Sequence, residues 1–184
     1  MTIYTPLKGE RMAGEKVIRK YGKRVGYTEP EIEKFHEGGH RIRQVSRLFR
    51  AAAKYSIEAE VVESKNCNSG HTKGQTFILD VDGNLITKLC PNRLCVYLIS
   101  QLTIPVALIN ERLSESLDPN DFHFMRYLRC PDTGVDCFGY GEVMLKVQVV
   151  PRVKEKLSQN NLLAQSAGGR QTSALEPRFK SSTY

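Results

Sequence analysis

The chain has 184 residues, of which 40% are hydrophobic, and a formal net charge of +7. This length allows about one domain with a substantial core. The N-terminal sequence has no continuous apolar segment, and the longest apolar stretch, residues 94–109, is interrupted by polar residues and Pro105. We therefore expect neither a signal peptide nor a membrane-spanning helix, but a cytoplasmic protein without membrane association. Because thiols stay reduced there, the five cysteines are expected to be ligands or reactive groups rather than disulfides.

The positive charge is concentrated at the two ends of the chain. Residues 1–54 have 13 Lys/Arg and 6 Asp/Glu, residues 55–150 have 8 and 12, and residues 151–184 have 6 and 2. This distribution predicts three parts: a basic N-terminal arm with an amphipathic helix over 1–55, a Cys/His metal-binding α+β domain over 56–150, and a polar basic tail over 151–184 that is disordered or ordered only by a partner.

Two helices are predicted in the N-terminal part. Residues 1–26 lack clean periodicity and read as an extended basic arm. Thr28 followed by Glu31 forms a capping box, which predicts a helix to about Glu37. Gly38 and Gly39 then end this helix, and a second helix is predicted over 40–55.

A basic stripe runs along the second helix, formed by Arg43, Arg47, Arg50 and Lys54 at helical spacing. Three interpretations stay open: a solvated face, a docking surface for an acidic protein, and a surface for phosphate backbones. The third is disfavoured because the helix lacks exposed aromatic side chains for stacking and the adjoining domain is acidic.

From residue 57 the apolar period becomes that of a strand. Along the chain we predict a strand from Ile57, a strand over 77–81, a turn at Asp82-Gly83-Asn84, a helix from Pro91 to about Gln101 that Pro105 ends or kinks, a loop over 114–121, and strands over 123–129 and 143–150. The fold class is therefore predicted as α+β: a compact domain of three to five short, mainly antiparallel strands with one central helix, preceded by a two-helix basic arm and followed by an extended tail.

Four side chains in turn-forming sequence are candidate metal ligands: Cys67, His71, Cys90 and Cys130. Neighbouring Gly and Pro residues let the backbone bend around a metal, and four protein ligands suit a structural tetrahedral site. The wide gaps between them are unlike the paired knuckles of zinc ribbons, and two Cys-Pro pairs resemble iron–sulfur ligation. Redox-active thiols and a purely structural role stay as alternatives, and a catalytic Cys67–His71 pair lacks an identifiable third residue to orient the histidine.

The other cysteines and histidines carry weaker signals. Cys95 is predicted to be a small hydrophobic residue on the central helix, whereas ligand, reserve thiol and core all stay open for Cys137. His36 and His40 are predicted to be exposed polar residues, because glycines between them interrupt the helix. His123 is predicted to be a half-buried strand residue.

Residues 56–150 resemble a family of small, largely uncharacterised bacterial and archaeal domains. The family pattern is Cys-x3-His-x2-Gly, then Cys-Pro at a helix start, then Cys-Pro-Asp before a final strand, and it is matched here by Cys67, His71, Gly74, Cys90, Pro91, Cys130, Pro131 and Asp132. The resemblance implies this set of thiols and, because such domains occur often in anaerobes, an iron–sulfur cluster in preference to zinc. It implies no particular activity. The basic arm and polar tail depart from the short family form.

Together these features predict a small metal- or iron–sulfur-binding accessory subunit of a multi-subunit redox or anaerobic enzyme complex. Such a subunit need not be catalytic itself and can transfer electrons. Larger protein subunits would bind through the basic helix over 40–55 and the two tails. The alternatives are a free-standing thiol-dependent enzyme or redox sensor that uses Cys67 and His71, and a nucleic-acid-binding module, which is disfavoured.

Overall fold

The computed structural model describes residues 8–37 and 39–153, which form an α+β fold with a four-stranded antiparallel sheet. Residues 1–7 of the predicted arm and residues 154–184, nearly all of the predicted tail, lie outside this description. The helices are α1 (Lys8–Val25), α2 (Glu29–His36), α3 (Gly39–Ala52), α4 (Val96–Ile99) and α5 (Thr103–Ser114), and the strands are β1 (Tyr55–Lys65), β2 (Thr76–Leu79), β3 (Tyr127–Arg129) and β4 (Glu142–Pro151). Short 3-10 turns cover Thr87–Leu89, Ser100–Leu102 and Val135–Cys137. None of the helices described is long and apolar enough to cross a lipid bilayer.

The sheet is built around the long β1–β4 pair, and its strand order is β2-β1-β4-β3. The pairing runs from Tyr55 opposite Pro151 to Lys65 opposite Glu142, with one irregularity between Val61 and Glu63. Alternate residues of both strands are buried on one face, as the sequence period predicts. That face and the helices α4 and α5 share one hydrophobic core, which includes Phe77, Leu98, Ile109 and Leu145. The predicted α+β class is therefore confirmed.

The predicted turn after β2 is confirmed, although the strand ends at Leu79 instead of residue 81. Asp80 Oδ1 accepts hydrogen bonds from the backbone N–H of Asp82 at 3.0 Å and of Asn84 at 2.9 Å. Gly83 has φ of +88°, a left-handed conformation that glycine adopts without strain. The local turn chemistry therefore brings Leu85 back beside Leu79.

The start of α2 is also as predicted. Glu31 Oε2 accepts hydrogen bonds from the backbone N–H of Thr28 at 2.7 Å and from its hydroxyl at 2.8 Å. The bond from the backbone N–H, followed by that from the hydroxyl, lowers the pKa of Glu31. This capping interaction separates α2 from α1 at a defined residue.

The prediction of an extended arm over 1–26 is wrong for the residues described, since α1 is a helix of 18 residues. Two glycines within α1 have a packing role. Gly14 and Gly22 lie on the same face as Ile18, which is fully buried. A Cβ at Gly14 would lie 3.1 Å from Ile42 of α3, and one at Gly22 would lie 3.1 Å from Ile32 of α2. The glycines thus allow α1 to approach both neighbouring helices closely.

The central helix also differs from the prediction. The predicted helix over 91–101 is reduced to α4, and the chain continues through a 3-10 turn into α5. Pro105 neither ends nor kinks a helix, because it lies in the first turn of α5, where no backbone N–H is required for helical bonding. Similarly, the predicted strand over 123–129 is confined to β3.

Part of the basic stripe of α3 forms hydrogen bonds and ion pairs within the chain. Arg47 Nη1 donates to the carbonyl of Ser114 at 2.8 Å and to Glu115 Oε2 at 3.1 Å. Arg43 forms a longer ion pair with Glu115, at 3.6 Å. Arg50, by contrast, is exposed. Two arginines of α3 are therefore paired with Glu115, an acidic residue at the C-terminal end of α5.

This contact predicts different effects for two arginines on the same helix. Arg47→Ala should lower the free energy of unfolding by about 1–2 kcal/mol, because it removes a partly buried, charge-assisted hydrogen bond to a carbonyl and an ion pair. Arg50→Ala, the matched control, should change it by less than about 0.5 kcal/mol. Urea unfolding of both variants measures the difference. Equal effects would show that the Arg47 contact does not fasten α3 to α5.

Candidate thiol and histidine site

Four cysteines lie half-buried against the hydrophobic core: Cys67, Cys90, Cys95 and Cys130. Cys67 lies two residues beyond β1, and Cys130 directly follows β3. Cys90 ends the first 3-10 turn, and Cys95 is the residue that precedes α4. Each thiol is thus placed at the end of a regular element, where the chain turns.

Cys67 and Cys130 are brought to the same edge of the sheet by its topology. Both β1 and β3 run antiparallel to β4, so their C-terminal ends lie at the same edge. The backbone N–H of Cys130 donates to the carbonyl of Val143 at 2.8 Å, and Val143 is paired with Ser64 of β1. A Cβ added at Gly141 would collide with the carbonyl of Asn66, which shows how closely the two loops approach.

Asp132 holds the loop that follows Cys130. Its carboxylate accepts hydrogen bonds from the backbone N–H of Tyr140 at 2.9 Å, Gly141 at 3.1 Å and Gly134 at 3.2 Å. These bonds, that from Tyr140 first, lower the pKa of Asp132. The short side chain of Asp132, two residues after Cys130, therefore stabilises the loop that follows Cys130.

Cys95 was predicted to lie within the central helix, but it directly precedes α4. It packs against the core, yet its thiol is also hydrogen-bonded to Ser69 and to the backbone of Leu98 and Tyr97. Burial raises the pKa of Cys95, but these hydrogen bonds outweigh burial and lower the pKa overall. The prediction of a small hydrophobic residue therefore missed the polar surroundings of its sulfur.

Cys130 lies close enough to Cys95 and to Cys67 for the charge of either thiolate to affect its pKa, and we refer to these three thiols as the thiol cluster. Burial is the main cause that raises the pKa of Cys130, and a hydrogen bond from the backbone of Asp132 opposes it. The negative charges of Cys95, Asp132 and Cys67 raise the pKa of Cys130 further. Thiolates in this arrangement repel one another, so a bound cation would stabilise them together.

Cys90 has a different environment. Its sulfur accepts a hydrogen bond from the backbone N–H of Ile78 at 3.4 Å, and its thiol lies 3.5 Å from the carbonyl of the same residue, to which it can donate. Burial raises the pKa of Cys90, and the hydrogen bond from Ile78 only partly compensates. The protonated thiol is therefore attached to strand β2.

His71 is 3% exposed, and its ring packs edge-on against Phe77 with the ring centres 5.2 Å apart. Gln75 Oε1 lies 3.4 Å from His71 Nδ1 and accepts the backbone N–H of Thr72 at 3.2 Å. Since that oxygen is an acceptor, the contact is a hydrogen bond in the neutral tautomer that has its proton on Nδ1, and this tautomer leaves the lone pair on Nε2. Nε2 is buried and has no hydrogen-bond partner among the described residues.

His71 and Cys90 line one cleft of about 480 Å³, together with Ser69, Gly70, Gln75, Pro91, Asn92 and Arg93. Of the four predicted ligands, the structure thus groups His71 with Cys90, and Cys67 with Cys130. Within residues 8–37 and 39–153, no three His, Cys, Asp or Glu side chains are arranged to hold a metal ion as they stand.

The remaining candidates lie elsewhere. Cys137 is exposed, and among the histidines His40 is exposed as predicted, whereas His36 is half-buried. His123 is exposed and precedes β3, so its predicted place in a strand is wrong. No hydrogen bond joins His71 to Cys67 among the described residues, so the pair lacks the contact that an activated nucleophile requires.

Comparison with known proteins identifies no relative of this chain: no family model, no curated protein and no solved structure matches it. The family resemblance of the sequence therefore stays a prediction.

The hydrogen bonds around the thiols predict an order of alkylation in metal-free protein. Because the thiolate is the reactive form and the pKa of Cys95 is lowered, Cys95 should react with iodoacetamide at lower pH than Cys90 and Cys130, whose pKa values are raised. The difference in alkylation rate between Cys95 and the other two thiols should become smaller as the pH rises and all three ionise. Peptide mass spectrometry across a pH series measures the rates, with Ser69→Ala as a variant that should slow Cys95. A faster reaction at Cys90 than at Cys95 near neutral pH would contradict this prediction.

Proposed function

We propose that the protein binds a metal ion or an iron–sulfur cluster at this Cys/His end of the domain and acts as a small accessory subunit of a larger, redox or anaerobic enzyme complex. The observation that carries the proposal is the buried Nε2 of His71, which has no partner among the described residues while Gln75 fixes the proton on Nδ1.

A metal-binding imidazole commonly donates its other ring N–H to an oxygen acceptor, which orients the ring and fixes the tautomer. His71 has this arrangement toward Gln75. A buried polar atom without a hydrogen bond costs about 1–3 kcal/mol, so the arrangement needs a compensating partner. A metal bound to the Nε2 lone pair would supply one.

The thiols supply the other donors that a soft or borderline metal requires. Cys67 and Cys130 are half-buried at the same edge of the sheet, and His71 follows Cys67 in the same loop. Thiolate with imidazole is the donor set preferred by zinc and, when thiolates dominate, by iron–sulfur clusters. Once deprotonated, the thiols of the cluster would be stabilised by either group.

Metal binding predicts a specific effect of His71. Protein purified without oxygen should carry near-stoichiometric zinc, or iron with acid-labile sulfide, and removal by a chelator should lower the unfolding temperature. His71→Gln should weaken binding, whereas His123→Gln, the matched control on an exposed histidine, should not. Elemental analysis, sulfide determination and thermal unfolding provide the measurements. A wild-type protein that binds neither metal nor cluster after reconstitution would refute the proposal.

A second candidate function, a thiol-dependent enzyme or redox sensor, is favoured by one observation. The hydrogen bonds that lower the pKa of Cys95 make this thiol a better candidate nucleophile than Cys67, which has no imidazole partner among the described residues. Fast alkylation at Cys95 in a protein that binds no metal would favour this function over the first.

The subunit part of the proposal rests on the basic surface of α3. Arg50 is exposed on α3, and Lys54 is exposed two residues after its end, because the helix predicted over 40–55 ends at Ala52. Positive charge on a surface favours association with an acidic partner and speeds it at low ionic strength. The proposed contact with a larger protein is therefore the segment over 40–55, assisted by the two tails.

Charge reversal tests this contact. Arg50→Glu with Lys54→Glu should release the partner that co-purifies with the tagged chain from its native host, because an attractive interface becomes repulsive. The same change at Lys16 and Lys23, exposed on α1, serves as the control and should retain it. Quantitative mass spectrometry of the purified complexes measures retention. Loss in both variants, or in neither, would remove the helix over 40–55 from the proposed interface.

A further inference from the structure

We propose that the solvent-facing side of α1 binds the phosphate backbone of a nucleic-acid duplex through Lys16, Lys20 and Lys23, and we refer to these three residues as the lysine face. This binding goes beyond the proposed metal site and does not depend on it. Lysine ammonium groups contact phosphates as point charges, and such contacts carry no sequence information. The ligand is therefore recognised by its regular negative charge and not by its base sequence.

The two sides of α1 have different surroundings. Ile18 is fully buried, and Gly14 and Gly22 lie on the same side of the helix, against α3 and α2. The residues of the lysine face follow one another at spacings of four and three, and all three are exposed. With about 3.6 residues per turn, these positions point away from Ile18. The sequence predicts an extended arm here, whereas the helix gathers the three charges on one side.

The arginines of α1 are paired within the chain, but the lysine face is not. Arg19 forms ion pairs with Glu15 at 3.7 Å and with Glu29 at 3.1 Å. Arg24 forms one with Asp82 at 3.2 Å. Among the described residues, no carboxylate forms an ion pair with a residue of the lysine face. Its positive charges are therefore available to an external anion.

The composition of this surface favours a nucleic acid over an acidic protein. Protein interfaces are enriched in aromatic residues and arginine and depleted in lysine, and the centre of such an interface is apolar. Between positions 16 and 23 of α1, by contrast, every exposed residue is basic. Contacts to phosphate oxygens require this kind of surface, because they replace the counterions around the nucleic acid.

The neighbouring aromatic ring favours a duplex over a single strand. Lys20 Nζ lies 5.0 Å from the centre of the Phe49 ring of α3 and partly covers it. Proteins that bind single strands stack the bases on open aromatic rings, and an unpaired base that stacked on Phe49 would displace Lys20. The backbone of a duplex needs no such ring.

An anionic lipid surface suits α1 less well than a duplex does. A helix that binds in the membrane interface inserts its apolar side between the lipids. The apolar side of α1 already packs within the protein, since a Cβ at Gly14 would lie 3.1 Å from Ile42 and one at Gly22 would lie 3.1 Å from Ile32. Only the charged side of α1 is therefore offered to a ligand.

Titration of labelled duplexes with the full chain tests the proposal. A DNA duplex of about 20 bp and an RNA duplex of the same sequence are titrated by fluorescence anisotropy at salt concentrations between about 50 and 200 mM. Each neutralised phosphate of B-DNA contributes about −0.9 to the slope of log K against log salt, so Lys16→Gln with Lys20→Gln and Lys23→Gln should reduce the magnitude of this slope by about 2.7. Binding at about 0.1 M salt should weaken at least about tenfold. Binding of either duplex supports the proposal, and the affinity ratio identifies RNA or DNA as the preferred source of the phosphates.

The matched control removes the same charge outside α1. Glutamine at the exposed Lys65, Lys73 and Lys88 should change the slope by less than about one. Glutamine and lysine have similar helix propensities, and circular dichroism confirms that α1 is retained. Equal losses in the two triple variants would show that binding follows net charge alone and would overturn the lysine face.

Two further outcomes would also overturn the proposal. One is the absence of duplex binding by the wild-type chain at about 50 mM salt. The other is tighter binding of polyglutamate, or of phosphatidylserine vesicles, than of either duplex, which would assign the lysine face to an acidic protein or to a membrane. Because these variants leave the thiols and the segment over 40–55 unchanged, the proposed metal-binding subunit can succeed or fail independently.

Discussion

The antiparallel pairing of β1 with β4 is the constraint on which the rest of the structure depends. It joins Tyr55 to Pro151 at one end and Lys65 to Glu142 at the other, so segments almost a hundred residues apart in sequence form the centre of the sheet. Its buried face anchors α4 and α5 through one hydrophobic core. Because β2 and β3 flank this pair, the strand ends also determine which loops can meet at the edge of the sheet.

The thiol site is a consequence of that topology. β1 and β3 run in the same direction, so the loops after them emerge together and bring Cys67 near Cys130. Cys95, the residue before α4, packs against the same hydrophobic core as these two thiols. Thiolates that lie near one another in a partly buried position repel one another unless a cation or a proton neutralises them. The buried His71, whose Nε2 has no hydrogen-bond partner among the described residues, instead lines a cleft with Cys90.

Charged residues of the N-terminal helices form contacts within the chain. The basic residues that give the N-terminal part its excess charge are not all available to a partner, because Arg47 and Arg43 hold α3 to the acidic end of α5. Arg24 similarly pairs with Asp82 in the turn after β2, at 3.2 Å. The complementarity between a basic arm and an acidic domain therefore operates first within the chain, and only the exposed remainder, such as Arg50, is left for association with another protein.

Interactions between near neighbours in sequence were predictable, and those between distant residues were not. The sequence by itself determined the cap formed by Thr28 and Glu31, the turn after Asp80 and the alternation of β1 and β4, because each is set by neighbours a few residues apart. It also identified Cys67, His71, Cys90 and Cys130 as candidate ligands from their turn-forming surroundings. Only the tertiary structure decided that Gly14 and Gly22 are contact positions within a helix, since the side chains that need the space belong to α2 and α3. It also showed the surroundings of Cys90 and Cys95, which the sequence predicted as a ligand and as a small hydrophobic residue: the sulfur of Cys90 is hydrogen-bonded to the backbone of β2, whereas Cys95 precedes α4.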